Sequence, residues 1–204
     1  MSGTTITTGT GTTYDIRALT PETWDLFADL NERMGGLFGG CWCVAFHAER
    51  DDRQPGPEGN KAFKRAMVDE GIAHAALVVD GGLAVAWAEY GTPTELPDIH
   101  HRKQYDAEKH ADPDYRVTCI RVDKARRREG LAEVALRGAL ALIAAEGGGT
   151  VEGYPHDLTD VTKKTSSSWL YNGTRSMYER VGFTYDRPKG MKNCVMSIEV
   201  PASA

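Results

Sequence analysis

The sequence predicts an α/β fold built on a mixed sheet. Three observations carry that expectation. Residues 75–90 read as a strand, a Gly81-Gly82 turn and a second strand. Residues 115–122 form a β-branched and apolar run, followed by a glycine turn and an apolar-periodic helix that ends near Gly147. Short strand patterns then recur at 150–154, 183–185 and 194–200. A tight hairpin can only pair its strands antiparallel, whereas a strand–helix–strand unit supplies a parallel neighbour, so both kinds of pairing are expected in one sheet.

In chain order, residues 1–12 (MSGTTITTGTGT) carry one aliphatic side chain among Gly and Thr, and a flexible tail is expected there. A single domain is expected over 13–204, since 204 residues suffice for one full core. Tyr14-Asp15-Ile16-Arg17 alternates as a strand does. Thr20-Pro21-Glu22 then reads as an N-cap with proline at the first helical position, with Trp24, Phe27, Leu30 and Met34 at helical spacing. Paired glycines break that helix in GGLFGGCWC (35–43), a segment that reads either as a cleft wall or as a plug of the core. A helix is expected over 59–69, with Phe63 and Met67 on one face. Residues 96–113 read as a charged surface excursion with solvated histidines at 100, 101 and 110, and a last helix is expected over 168–181.

Composition excludes several classes. With 41% hydrophobic and 26% charged residues the chain is too apolar for a disordered protein. A net charge of -5 argues against a general nucleic-acid binder, because phosphate affinity needs a basic surface. No apolar run approaches the roughly 18–20 residues that cross a bilayer, so no membrane partner and a cytoplasmic location are expected. Four cysteines, at 41, 43, 119 and 194, lack the spacing of a disulfide framework. Cys41 and Cys43 with His47 make a weak metal set, and no metal is expected.

The most informative segment is RVDKARRREGLA at 121–132. A helix N-terminus leaves its first N–H groups unpaired and carries partial positive charge, which suits phosphate. In Arg127-Arg128-Glu129-Gly130-Leu131-Ala132 the small residues clear room for a pyrophosphate and the arginines add charge. This spacing, with Val122 closing the preceding strand, resembles the acetyl-CoA-binding motif of the GCN5-related N-acetyltransferase (GNAT) family, Arg127, Gly130 and Ala132 matching its anchors. Lys124 stands where the family commonly has proline, and Arg128 where it commonly has the first glycine, which leaves the conformation of the turn open. Downstream, Tyr178-Glu179-Arg180-Val181-Gly182-Phe183 is similar to the family's Y-x-x-x-G-F segment, and the order of elements over 13–200 agrees. The chain looks like a branch of the family that also carries the GGCWC loop.

The resemblance implies a mostly antiparallel central sheet flanked by helices, and transfer of an acetyl group from acetyl-CoA, as co-substrate, to a primary amine. It implies that Ile120, Arg121 and Val122 hold the pantetheine arm along the strand, that Arg127 to Ala132 bind phosphate, and that Asn172 reaches the pantetheine amides. It gives Tyr178 the protonation of the departing thiolate. Glu152 and Glu89 are candidate bases acting through water, and Glu89 also faces the acceptor side. Phe38, Trp42 and Cys43 are expected to form an acceptor wall. The expected partner is a small-molecule amine, with a homodimer left open. The alternative is a non-catalytic acyl-CoA sensor.

Overall fold

The computed structural model describes residues 4–35, 40–48, 53–159 and 170–203. Its strands are β1 (Thr4–Thr7), β2 (Thr13–Ala18), β3 (His74–Asp80), β4 (Leu83–Gly91), β5 (Tyr115–Val122), β6 (Gly149–Gly153), β7 (Thr184–Lys189) and β8 (Asn193–Val200). Its helices are α1 (Trp24–Arg33), α2 (Pro57–Asp69), α3 (Arg102–Glu108), α4 (Leu131–Ala145) and α5 (Arg175–Val181). All strands join one eight-stranded sheet in the order β1-β2-β3-β4-β5-β6-β8-β7. β5 and β6 pair parallel, with α4 as their crossover, and the other neighbours pair antiparallel. The mixed, mostly antiparallel sheet is therefore as the sequence implies.

Strand alternation divides the interior between the two faces of this sheet. From β3, Ala76 and Val78 join Leu131, Leu136 and Ile143 of α4 on one face, together with Met177 and Tyr178 of α5. Ala75, Leu77 and Val79 join Phe27 and Leu30 of α1 and Met67 of α2 on the other. Because β3 is covered on both sides, its sequence is a continuous apolar run rather than an alternating one.

Four expectations change. Residues 4–7 are not a tail: they pair with β2, Ile6 packs on the α4 side, and the Thr7 and Thr13 hydroxyls hydrogen-bond at 2.8 Å. Threonine's β-branched side chain suits an edge strand, which outweighs the segment's low apolar content. α1 starts at Trp24 rather than after Thr20, because the Thr23 hydroxyl donates to Ala18 O at 2.7 Å and accepts from Thr20 N at 2.8 Å, closing a turn first. The 96–113 excursion contains α3, which buries Tyr105 edge-on against Tyr154 with ring centroids 5.7 Å apart. α5 begins at Arg175, where the Thr174 hydroxyl accepts from Met177 N.

Candidate active site

β5 outruns its parallel neighbour. Their last paired residues are Val117 and Gly153, while β5 continues to Val122. At that level the β4–β5 register shifts, Glu89 facing Cys119 and Tyr90 facing Val117, so Thr118 is an extra residue on β5. Such a bulge bends a strand, and the β5–β6 pairing ends just before it. Residues 171–173 enter the opening: Tyr171 O accepts from Ile120 N at 2.6 Å and Gly173 O accepts from His156 N at 3.0 Å. Beside them lies a cleft of about 500 Å³, with Ile120, Val122, Leu131 and Ala132 among its lining on one side and Tyr171, Thr174 and Met177 on the other. The Ile120 amide, expected to hold pantetheine, is thus occupied by Tyr171. Val122 presents its amide to the same edge by strand alternation.

The cleft's mouth is the N-terminus of α4. Asp123 accepts from Ala125 N at 2.9 Å and starts a single 3₁₀ turn over Lys124–Arg126. Arg126 is committed to Asp80 and Glu129. The chain then turns through two left-handed residues, Arg128 at φ 71° and Gly130 at φ 77°. The turn is the one a glycine would make at 128, adopted by arginine at a steric cost of roughly 1–2 kcal/mol. No side chain caps α4, so the first amides at Leu131 and Ala132 point outward without intrahelical partners. Arg127 and Arg128 line the cleft and form no ion pair or hydrogen bond among the described residues. This end can hold a pyrophosphate on backbone N–H groups, helix dipole and two guanidinium groups.

Of the residues expected to bind the cofactor, Ile120, Arg121, Val122, Arg127, Arg128, Gly130, Leu131 and Ala132 all come together around the cleft. Glu129 does not line it, since Arg126 holds both of its carboxylate oxygens. Asn172 does not either: it is buried, and its Nδ2 donates to Tyr154 O at 3.1 Å.

Tyr178 is fully buried, and its hydroxyl has no hydrogen-bond partner among the described residues. Its ring is clamped between Phe183, edge-on at 4.8 Å, and the backbone of Gly153, where a Cβ would come within 2.1 Å of the ring. Burial pushes the phenol pKa well up, with Cys119 and Cys194 adding to the effect, so the hydroxyl stays protonated. Tyr178 does not itself line the cleft; it follows the cleft-lining Met177 in the chain, and its ring packs on Gly153, where the β5–β6 pairing ends.

Neither expected base is free. Glu89 is wholly buried: Oε1 takes Lys64 Nζ at 2.6 Å and lies 3.3 Å from His47 Nε2, while Oε2 accepts from Thr118 at 2.7 Å and from the Cys43 thiol at 3.3 Å. Burial raises its pKa, but the Lys64 charge, with His47, outweighs that and brings it to about 2. Glu152 accepts from the Tyr105 and Tyr154 hydroxyls at 2.7 and 2.9 Å, in a separate buried cluster that does not line the cleft. The acceptor-wall expectation also changes. Trp42 stacks on Trp24 at 5.9 Å, touches Phe27 and lies under Lys61, within the core of the α1 face. Cys43 is buried with Glu89. Phe38 lies outside the described residues. Among these described residues no group of three or more His, Cys, Asp or Glu is arranged to hold a metal ion.

Tyr171 and Met34 are among the cleft residues that escaped sequence reasoning. Tyr171 lines the cleft and its hydroxyl meets His100 Nε2 at 2.7 Å. Burial pushes that phenol up to about 12. Met34, at the end of α1, closes the side toward Arg121 and holds Lys124 Nζ on its carbonyl at 2.6 Å. The Tyr-Asn-Gly turn before a Thr-capped helix was the available signal for Tyr171, but the partnership with residue 100 is purely tertiary.

No protein-family model matches the sequence, and no curated protein matches it. Solved structures do. The GNAT domain of S. lividans PAT superposes with a TM-score of 0.52 at 14% identity, covering 97% of this chain and 96% of that one. The ribosomal-protein-S5-alanine acetyltransferase from Vibrio fischeri gives 0.50 at 11% identity over 97% of each chain. This is the GNAT fold. An uncharacterized protein from Bacillus halodurans shares it, with a TM-score of 0.52 at 11% identity over 97% of this chain and 90% of that one. Within the GNAT fold of this chain, the splayed β5–β6 pair and the uncapped α4 N-terminus open into one cleft.

Proposed function

We propose that the protein is an acyl-CoA-dependent N-acyltransferase that moves an acetyl group from acetyl-CoA to the primary amine of a small molecule. The observation that carries this reading is the mouth of the cleft: the uncapped α4 N-terminus, Gly130 in the left-handed conformation and two arginines without a partner among the described residues, at the edge where β5 outruns β6. A phosphate-bearing ligand fits those donors, and the gap beyond them is apolar enough, through Ile120, Val122, Leu131 and Met177, for a pantetheine arm.

In this reading the amine nitrogen attacks the thioester carbonyl, the C–N bond forms, the C–S bond breaks, and the thiolate takes a hydrogen bond and then a proton at sulfur. Tyr178 donates the hydrogen bond to that sulfur, because its hydroxyl is protonated, fixed in place and without another partner among the described residues, and the thiolate takes its proton from solvent as it leaves. Glu89 and Glu152 serve the framework rather than proton abstraction. The amine's proton leaves through the Tyr171–His100 pair toward solvent. A cytoplasmic location, where acetyl-CoA is present, accompanies the reading. Among the described residues no helix is long and apolar enough to cross a membrane.

Calorimetric titration with acetyl-CoA, followed by thiol release against a panel of amines, tests the assignment. Gly130→Glu places a carboxylate at the phosphate position, where the added Cβ meets nothing within 4 Å and the left-handed φ of 77° adds about 1–2 kcal/mol of strain. It should weaken acetyl-CoA at least about tenfold, one charge contact's worth. Unchanged affinity in the folded variant rejects the site.

A further inference from the structure

One buried charge in the cleft has no counterpart. Arg121 is 8% exposed and lines the cleft, yet it makes no hydrogen bond or ion pair among the described residues. Other buried cations are provided for: Lys64 by Glu89 and His47, Arg116 by Leu96 O and the Tyr105 ring, Lys189 by His100 O and the Tyr154 ring. The residue is largely buried, but its guanidinium nitrogens are not among the buried polar atoms and open on the cleft, where a group that keeps its proton is available to an anionic ligand.

The candidate counter-ions around it are already taken. Glu89, on the same sheet face, has both oxygens occupied. Asp123 is held by Arg33 and by Ala125 N. The Cys41 thiol lies close enough to feel the Arg121 charge, but burial, the larger effect, raises its pKa, and a neutral thiol balances nothing. The cross-strand neighbour Trp87 adds a second buried donor, an indole N–H with no acceptor among the described residues.

Direction matters as much as charge. On β5, Ile120 and Val122 pack toward α4, whereas Cys119 belongs to the α1 face, so alternation turns Arg121 to the α1 face. The phosphate site lies at the start of α4, on the opposite side of the strand. The sequence assigned Arg121 to the cofactor. Its backbone can serve there, but its side chain enters the cleft from the α1 side, where Met34 also lines it.

We propose that Arg121 binds a substrate carboxylate on the α1 side of the cleft, so that the amine acetylated belongs to an amino acid or a similar amino-carboxylate. The inference rests on the acyltransferase reading above. Guanidinium and carboxylate match as a bidentate pair, and the pair discriminates most strongly where water is excluded. The carboxylate has two chemical sources: the acceptor, or a dicarboxylic acyl group carried on CoA.

The test compares phenylalanine with phenethylamine, alanine with ethylamine and lysine with cadaverine, using acetyl-CoA as donor. A parallel arm compares succinyl-CoA with acetyl-CoA on ethylamine. The expected result is a preference for the carboxylate-bearing acceptor in kcat/KM. In Arg121→Met that preference falls by roughly 30- to 1,000-fold, as for loss of one partner of a buried charge pair. In a thermal-shift measurement that needs no turnover, the amino acid, but not its matched amine, raises the melting temperature of the parent protein. Preference for succinyl-CoA with none among acceptors moves the carboxylate to the acyl group and overturns the acceptor assignment. No preference in either arm, or equal loss for each matched pair in the variant, overturns the role of Arg121 while leaving acetyl-CoA binding intact. Absence of acetyl-CoA binding to the parent protein overturns both readings together.

Discussion

Replacing Glu89 with Gln separates a framework carboxylate from a catalytic base. The substitution keeps the side chain's shape and removes its charge, leaving the ammonium of Lys64, 1% exposed, beside His47 alone. The distance between the ordinary carboxylate value of 4.5 and about 2 corresponds to about 3 kcal/mol of folding stability. Breaking one side of a buried ion pair costs about 3–5 kcal/mol, in agreement. For a chain of this size about 3 kcal/mol lowers the melting temperature by roughly 6–12 °C. The sign with pH follows from a depressed carboxyl value. The stabilisation is fully present above the unfolded value near 4.5 and is lost as pH falls toward about 2. Urea unfolding of parent and variant at neutral pH, repeated downward in pH, reads both effects, and the gap between the proteins should close in acid. A variant within about 0.5 kcal/mol of the parent at neutral pH, but with kcat/KM abolished, refutes the framework role and restores Glu89 as a base.

Three further outcomes follow from the same geometry. Tyr178→Phe should lower kcat by roughly 10- to 1,000-fold with little change in acetyl-CoA affinity. It should also melt no lower than the parent, because it removes a buried hydroxyl without a partner. Wild-type kcat where chemistry limits the rate removes Tyr178 from the mechanism. Trp42→Ala should cost about 3–5 kcal/mol by chemical denaturation and impair both substrates together, since the ring packs on Trp24 and Phe27. A stable variant with a raised KM for the amine alone would return Trp42 to the acceptor wall. Arg128→Gly should stabilise the fold by about 1 kcal/mol, by relieving the left-handed conformation at φ 71°. The same change should weaken acetyl-CoA in calorimetry by removing a charge, and a destabilised variant contradicts the strain.

Much of this protein is legible locally. The 74–91 hairpin, the α4 crossover and the turn at 127–132 each rest on nearest-neighbour physics: glycine at positive φ, periodic apolar residues, unpaired helix amides. Those signals survive in one dimension because the residues that make the structure are adjacent in the chain. The β1 strand was misread for the complementary reason: its partner, β2, supplies the hydrogen bonds that its own sequence cannot. Charge balance in the interior was decided by tertiary structure alone. Glu89 and Glu152 look alike as strand carboxylates, and which groups occupy them depends on residues 25 and 47 positions away, Lys64 and Tyr105. Likewise Trp42 reads as a cleft aromatic until α1 brings Trp24 against it. Arg121 is the converse case: among the described residues the fold places no hydrogen-bond or ion-pair partner beside it. Coulomb interactions and desolvation act through space, so the partners of a buried charge become known only when the chain has closed around it.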